Sequence, residues 1–272
     1  MSIKKYMIIS LIGAFCLTAN IVWAGNIVIK GSTTVLPIAQ KVAEAYMSQT
    51  PEVKISISGG GSGNGIKALI DGSTDIADSS RFIKDKEVTL AVEKGRYPVP
   101  FAVAYDCIVP VVHPDNPIVN LTMDQLKAVY KGDVKNWKEL GGEDRKIVVI
   151  SRDTSSGTYE VWEAKVMESE RVFPGALLQA SNGAVVQAVS NNKNAIGYIG
   201  LGYISDSVKA LMVNRIKGSA ETTLNGTFPI SRPLYMFTDG WPEGDILNFI
   251  NFVLNPQKGQ IYVEEAGFVP LY

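Results

Sequence analysis

Three stretches of this 272-residue sequence set glycines and small hydroxyl residues directly ahead of a helical pattern: Gly31-Ser32-Thr33-Thr34, Gly59-Gly60-Gly61-Ser62-Gly63-Asn64-Gly65 and Arg152-Asp153-Thr154-Ser155-Ser156-Gly157-Thr158. The first backbone N–H groups of a helix have no partner within it, and the helix dipole places roughly half a positive charge there, so each start can hold part of an anion. Small residues let a ligand reach the backbone, hydroxyls add donors, and Arg152 supplies a planar, permanently charged fork. One such run alone is ordinarily a turn with a helix cap. Three of them together with one arginine predict a cage for a phosphate-like oxyanion.

Such a cage needs rigid elements behind each loop. Residues 26–30 read as a short strand, and 36–48 carry apolar side chains at helical spacing (Leu36, Ala39, Val42, Ala43, Tyr46, Met47). The pattern recurs as strand 53–58, loop 59–65 and helix 66–71, the last closed by Gly72. A further strand over 75–77 delivers Asp78, Ser79, Ser80 and Arg81 at its carboxyl end. Ligands of open parallel sheets bind beyond the carboxyl ends of the strands, so these loops should face one crevice. The long apolar run 101–112 is followed by the breaking cluster His113-Pro114-Asp115-Asn116-Pro117, which predicts a crossing into a second domain.

The second domain repeats the α/β pattern. A helix over 122–130 opens with a capping box from Thr122 and Gln125, and the strand 147–150 delivers Ser151 and Arg152. Helices are expected over 159–167 and 183–189, and strands over 195–199 and 208–213. A returning strand over 233–238 and helices over 245–254 and 256–266 should pack back on the first domain. The expected division is therefore 25–105 and 231–272 for one lobe and 106–230 for the other.

Residues 1–24 read as a secretory signal: Lys4 and Lys5 precede an apolar run, and Val22-Trp23-Ala24 places small residues where a signal peptidase cuts. A retained membrane anchor is the alternative. Phe15 ahead of Cys16 disfavours a lipoprotein site, and removal of the leader leaves Cys107 without a partner, a small buried hydrophobe in an apolar run. The chain has 26 basic and 27 acidic residues, and the leader takes two lysines with it. No basic face for nucleic acid or an anionic membrane is evident, while a small anion is held by local dipoles.

Enzyme chemistry finds little support. Gly61 to Gly65 places Gly63 where a nucleophile elbow needs serine, and no glycine-rich loop ends in Gly-Lys-Ser/Thr. One histidine, His113, and one cysteine outside the leader do not make an ordinary zinc site. Neither a metal nor an organic cofactor is expected.

Four of these motifs, Gly31-Ser32-Thr33-Thr34-Val35-Leu36-Pro37, Gly60 to Ile66, Asp75 to Arg81 and Ser151-Arg152 through Ser156-Gly157-Thr158, resemble in order and spacing the phosphate-binding proteins of bacterial high-affinity phosphate ABC importers. Trp137, Asn194 to Tyr198 and Tyr235 extend the resemblance over the remainder of the chain. It implies a two-lobe type II periplasmic binding fold that closes on dehydrated phosphate, acts outside the cytoplasm as a monomer, and delivers its cargo to membrane permease subunits. Carried over, Ser62 binds with hydroxyl and N–H, Arg152 is the charge partner, and Ser156, Gly157 and Thr158 are helix-start donors. Thr33, Thr34 and the N–H of Val35 are candidates in the first loop. The family places aspartates where this chain has Ser80 and Thr154, so Asp78, Asp153 or a serine must accept the proton of hydrogen phosphate. Arg81 either adds a second charge or pairs with Asp78 or Asp85. The competing expectations are another tetrahedral oxyanion, such as sulfate, or a secreted phosphate-ester hydrolase.

Overall fold

A computed structural model describes residues 25–272, and the expected leader lies outside the described residues. The first unit runs β1 (Asn26–Gly31), α1 (Leu36–Gln49), β2 (Lys54–Gly59), α2 (Ser62–Ile70), β3 (Ile76–Ser79) and α3 (Asp85–Glu93). Strand β4 (Pro98–Val112) leads to β5 (Asn120–Leu121), α4 (Met123–Lys131), β6 (Val148–Arg152), α5 (Gly157–Lys165), β7 (Leu177–Gln179), α6 (Asn182–Ser190) and β8 (Ala195–Gly200). The short β9 (Lys209–Ala210), β10 (Met212–Val213) and α7 (Ala220–Leu224) follow, then β11 (Ser231–Asp239), α8 (Gly244–Leu254) and α9 (Gly259–Glu265).

Helix α1 buries Ile38, Ala39, Val42, Ala43 and Tyr46, a stripe at helical spacing, and Pro37 fits its first turn because that turn needs no N–H from it. Tyr46 meets Phe249 and Phe252 of α8 edge to face, with ring centroids 5.4 and 5.2 Å apart. The last two helices thus complete the core begun by the first strands. That core holds Ile27, Ile29, Val103, Ala104, Leu234, Met236 and Phe268, whereas Cys107, Ile108, Trp137, Trp162, Tyr198 and Ile230 belong to a separate one.

One continuous sheet joins the two cores in the order β2-β1-β3-β11-β4-β8-β6-β7. Strands β1, β2 and β3 are mutually parallel, as are β6, β7 and β8, while β11 runs antiparallel to β3 and β4. Residues 98–107 of β4 pair with β11 and residues 108–112 pair with β8. The chain therefore changes core inside an unbroken strand, ahead of the proline cluster at 114–117 that suggested the crossing. A strand can make that passage because its backbone is handed from the β11 ladder to the β8 ladder without a break. Helix α3 and the split of 208–213 into β9 and β10 were not foreseen. Leu211 separates β9 and β10, its N–H on the carbonyl of Pro110.

Candidate anion-binding site

The carboxyl ends of β1, β3 and β6 and the starts of α1, α2 and α5 meet between the two cores. At the end of β1, Gly31 has φ +141°, and a Cβ there would stand 2.1 Å from the Asp78 carbonyl oxygen, so only glycine fits. Ser32 donates its N–H to that carbonyl (2.8 Å), and its Oγ accepts from the N–H groups of Thr34 (3.1 Å) and Val35 (3.4 Å). Ser32 therefore caps the first turn and occupies the Val35 N–H, and Val35 itself is buried in the core. Thr33 and Thr34 are left as the exits of this loop.

Helix α2 begins at Ser62, four residues earlier than its apolar spacing suggested. Gly63 and Gly65 are helical, because their missing side chains make room for neighbouring backbone: a Cβ on Gly65 would lie 2.6 Å from Gly31 Cα, and one on Gly63 3.3 Å from the Ser155 carbonyl oxygen. Ser62 Oγ accepts the Ser80 N–H at 3.0 Å and lies 3.3 Å from Ser80 Oγ.

From the other core, β6 ends on Arg152. The strand is anchored by Tyr198, stacked on Trp162 at 4.3 Å, whose hydroxyl receives the Arg152 N–H (3.1 Å) and meets Ser151 Oγ (2.9 Å). Ser156 Oγ caps α5 by accepting the Tyr159 N–H (3.3 Å), which leaves the N–H groups of Gly157 and Thr158 without an intrahelical partner. A Cβ on Gly157 would approach Ser62 Oγ to 2.4 Å and Ser80 Oγ to 2.8 Å. The α5 start is thus pressed onto the serines of the opposite core. Gly63 N–H to Ser155 O (2.9 Å) and Thr34 Oγ1 to Thr158 Oγ1 (3.0 Å) cross the same gap.

Arg152 is 1% exposed. Its Nε donates to Gln179 O and its Nη2 to Ala180 O, both at 3.0 Å, and Nη2 reaches Thr33 Oγ1 at 3.3 Å. Its Nη1 is buried without a partner, and among the described residues no carboxylate pairs with it. Desolvation lowers its pKa, yet a guanidinium remains charged at any ordinary pH. An unpaired cation held under these donors calls for an anion.

Three further residues enter the cage that the motifs did not reveal. Arg232, on β11, donates from Nε (3.1 Å) and Nη2 (2.8 Å) to Asp106 Oδ2 and from Nη1 to Ser80 O (2.9 Å). The same Nη2 touches Thr158 Oγ1 (3.0 Å) and Thr34 Oγ1 (3.4 Å). Burial raises the Asp106 pKa and lowers that of Arg232, opposed by their mutual bond; the Leu201 N–H (2.8 Å) on Asp106 adds to what keeps the pair ionised. Asn182, the first residue of α6, places Nδ2 between Thr33 and Thr34. A readable signal existed: Asp106 is the one charge within the apolar run 101–112, and Arg232 directly precedes the strand expected over 233–238.

Other expectations need correction. Arg81 pairs with neither Asp78 nor Asp85: it forms a fork on Glu87 (2.7 and 2.8 Å), and its Nε lies 2.7 Å from Glu160 at the far side of the gap. Glu87 lies in the first turn of α3, and Glu160 in the first turn of α5 on the opposite side of the gap. Asp78 is buried with Oδ1 unpartnered, and burial drives its pKa well above the usual carboxylate range. Asp153 Oδ1 accepts from the N–H (2.9 Å) and hydroxyl of Ser155. Asp153 is thus held within its own loop. Burial also pushes the Cys107 thiol up to about 12, an inert side chain.

Two α/β lobes joined by crossing strands, with a buried unpaired arginine and three helix starts between them, define an anion receptor of the two-lobed binding-protein class. The sequence profile of the PBP superfamily domain matches residues 23–257. The chain is 34% identical to the phosphate-binding protein PstS of Pseudomonas aeruginosa, covering 91% of this chain and 84% of that one, and 29% identical to PstS of Bacillus subtilis over 91% and 81%. A putative phosphate ABC transporter substrate-binding protein from Clostridium perfringens, solved with bound phosphate, superposes with a TM-score of 0.85 at 34% identity, covering 91% of this chain and all of that one. An ABC-type phosphate transport receptor from Vibrio cholerae gives 0.73 at 33% identity, over 89% and 99%. The chain belongs to the family of PstS phosphate-binding proteins, and its fold is the two-lobed type II periplasmic binding fold.

Proposed function

We propose that the protein captures inorganic phosphate outside the cytoplasmic membrane and delivers it to the permease of an ABC importer. The observation that carries this reading is Arg152, a buried guanidinium with a free Nη1 and no carboxylate partner, set where the two lobes meet. In this reading Arg152 supplies charge-assisted bonds, Thr33, Thr34, Ser62, Ser80, Ser156 and Thr158 supply hydroxyls, and the first amides of α2 and α5 supply the rest. On this reading the lobe boundaries fall at 105/106, within β4, and at 230/231, at the start of β11, and these two strands form the hinge. Residues 1–24 direct export and are removed.

The same geometry favours binding over catalysis. No imidazole or activated thiol faces the cage among the described residues, and the groups that do face it are donors that hold charge without moving protons. The protein works as a monomer and does not use nucleic acid. Among the described residues no helix is long and apolar enough to cross a membrane, and no cluster of three or more His, Cys, Asp or Glu is placed to hold a metal.

Small-angle scattering and thermal melting with and without phosphate test the proposal together. Phosphate should compact the protein, and at one hundred times the dissociation constant it should add about 2.7 kcal/mol to the unfolding free energy. Unchanged dimensions and an unchanged melting temperature would reject a closing phosphate receptor, and turnover of phosphate esters would favour the hydrolase.

A further inference from the structure

Two guanidiniums lie under the cage, and only one of them has a counter-charge. Arg152 reaches the cage at Thr33 Oγ1 (3.3 Å), and among the described residues no carboxylate pairs with it. Arg232 reaches it at Thr158 Oγ1 (3.0 Å) and Thr34 Oγ1 (3.4 Å), while its Nε and Nη2 stand on Asp106 Oδ2 at 3.1 and 2.8 Å. The Asn182 amide joins the two ends: its Oδ1 accepts the Gly200 N–H (3.2 Å), which turns Nδ2 to both Thr33 Oγ1 (3.3 Å) and Thr34 Oγ1 (3.0 Å). Both arginines therefore act on the same space.

The carboxylate of Asp106 is built into the hinge. It lies on β4 where the chain passes between the cores, its Oδ1 takes the Leu201 N–H (2.8 Å), and a Cβ on Gly200 would stand 3.1 Å from each of its oxygens. Asp106 and Arg232 are buried, so solvent and salt screen them little and an anion in the cage feels each charge. Burial pushes Cys107 and Tyr198 beside Arg232, and Tyr203 beside Asp106 and Arg152, up to about 12, which leaves them uncharged near neutral pH. Asp153 acts on Arg152 from the loop ahead of α5. Arg152, Arg232 and Asp106 together carry one net positive charge.

Resting on the phosphate reading, we infer that Asp106 is a specificity-determining residue of the receptor: as the counter-charge of Arg232 it sets the charge of the cage, and with it the hold on dianions relative to monoanions. With Asp106 in place the arginines offer one uncompensated charge, that of Arg152, which a singly charged phosphate neutralises. Sulfate is doubly charged at any ordinary pH, so its second charge rests on helix starts and hydroxyls alone. Loss of the carboxylate frees the Arg232 charge for the ligand and favours the dianion.

Calorimetric titration with phosphate and with sulfate, at mildly acidic and at mildly alkaline pH, tests this on the parent and on variants of the pair. Asp106→Asn keeps the shape and an oxygen for the Leu201 N–H. It should tighten sulfate at least about tenfold at either pH, the size of effect a unit charge has at short range in a partly screened site. Phosphate should tighten as much on the alkaline side, where it is mostly a dianion, and by a clearly smaller factor on the acidic side, where it is mostly singly charged. Asp106→Ser carries the same expectation, and ligand-free melting curves check that each variant folds. Asp106→Leu with Arg232→Met removes both charges and should weaken both anions by one common factor, with the sulfate-to-phosphate ratio and its pH dependence as in the parent. If the Asp106 variants shift both anions by one factor at both pH values, or weaken both, or if the double variant changes the ratio, while the parent binds phosphate, the assignment to Asp106 falls and the receptor stands. If the parent gives no heat with phosphate, the phosphate reading falls, and the Asp106 assignment with it.

Discussion

Replacing Arg152 with methionine separates what this residue does for binding from what it does for folding. The guanidinium is 1% exposed, holds two backbone carbonyls and Thr33, and leaves Nη1 without a partner. A hydrogen bond to a charged group contributes about 1.5–3 kcal/mol, so loss of two from one fork amounts to roughly 3–6 kcal/mol, or about two to four orders of magnitude in phosphate affinity. Stability should respond in the opposite sense. A buried charge with no counter-ion destabilises the empty protein, and methionine of similar length removes it, so the ligand-free melting temperature should hold or rise. Arg81→Met supplies the comparison, because that guanidinium is neutralised by Glu87 and Glu160; its loss in affinity should stay within about tenfold. Calorimetry and thermal melting on the two variants give both quantities. Equal losses of affinity for Arg152→Met and Arg81→Met, or a large drop in ligand-free stability for Arg152→Met alone, would refute the assignment of Arg152 as the unpaired charge partner.

Three further outcomes are expected. Glu160→Gln removes the carboxylate that reaches across the gap to Arg81 and Lys84, so phosphate should leave several-fold faster and lose much of the salt dependence of its release, read by stopped flow, with the phosphate-to-sulfate ratio unchanged. Arg232→Met strands the fully buried Asp106 and should cost roughly 3–5 kcal/mol of stability, whereas Arg232→Met with Asp106→Leu should recover most of it; a double-mutant cycle in urea that shows simple additivity would contradict the pair. For Asp78, burial raises the pKa in the folded state, so above the unfolded carboxylate range near about pH 3.9 the folded chain binds more protons than the unfolded one and stability declines as pH rises. Asp78→Asn should therefore be more stable than the parent at pH 7 and nearly equal to it at pH 4, and a pH-independent difference would argue against a raised Asp78 pKa.

The loops were legible because their chemistry is local. Ser156 is a cap with glycine behind it, Thr122 and Gln125 close a capping box as their spacing requires, and the apolar stripe of α1 states its own buried face. What the sequence concealed depends on pairing across the fold. Arg232 and Asp106 are 126 residues apart and meet only because β11 lies in register with β4, and nothing near either residue announces the other. Arg81 was sought in local pairs for the same reason, while its partner Glu160 comes from the opposite lobe. Helix α2 began earlier than its apolar pattern because glycines normally argue against helix, and here they answer to the backbone packed against them. The crossing strand misled in a milder way, since proline marks a break and the change of core happens where no break is needed.

Calorimetric titration of the purified protein with inorganic phosphate at neutral pH tests the central claim most directly. The site between the lobes predicts saturable binding of one phosphate per chain, abolished or weakened at least a hundredfold when Arg152 is replaced. Absence of saturable heat with phosphate, or binding that survives the loss of Arg152 undiminished, would contradict it.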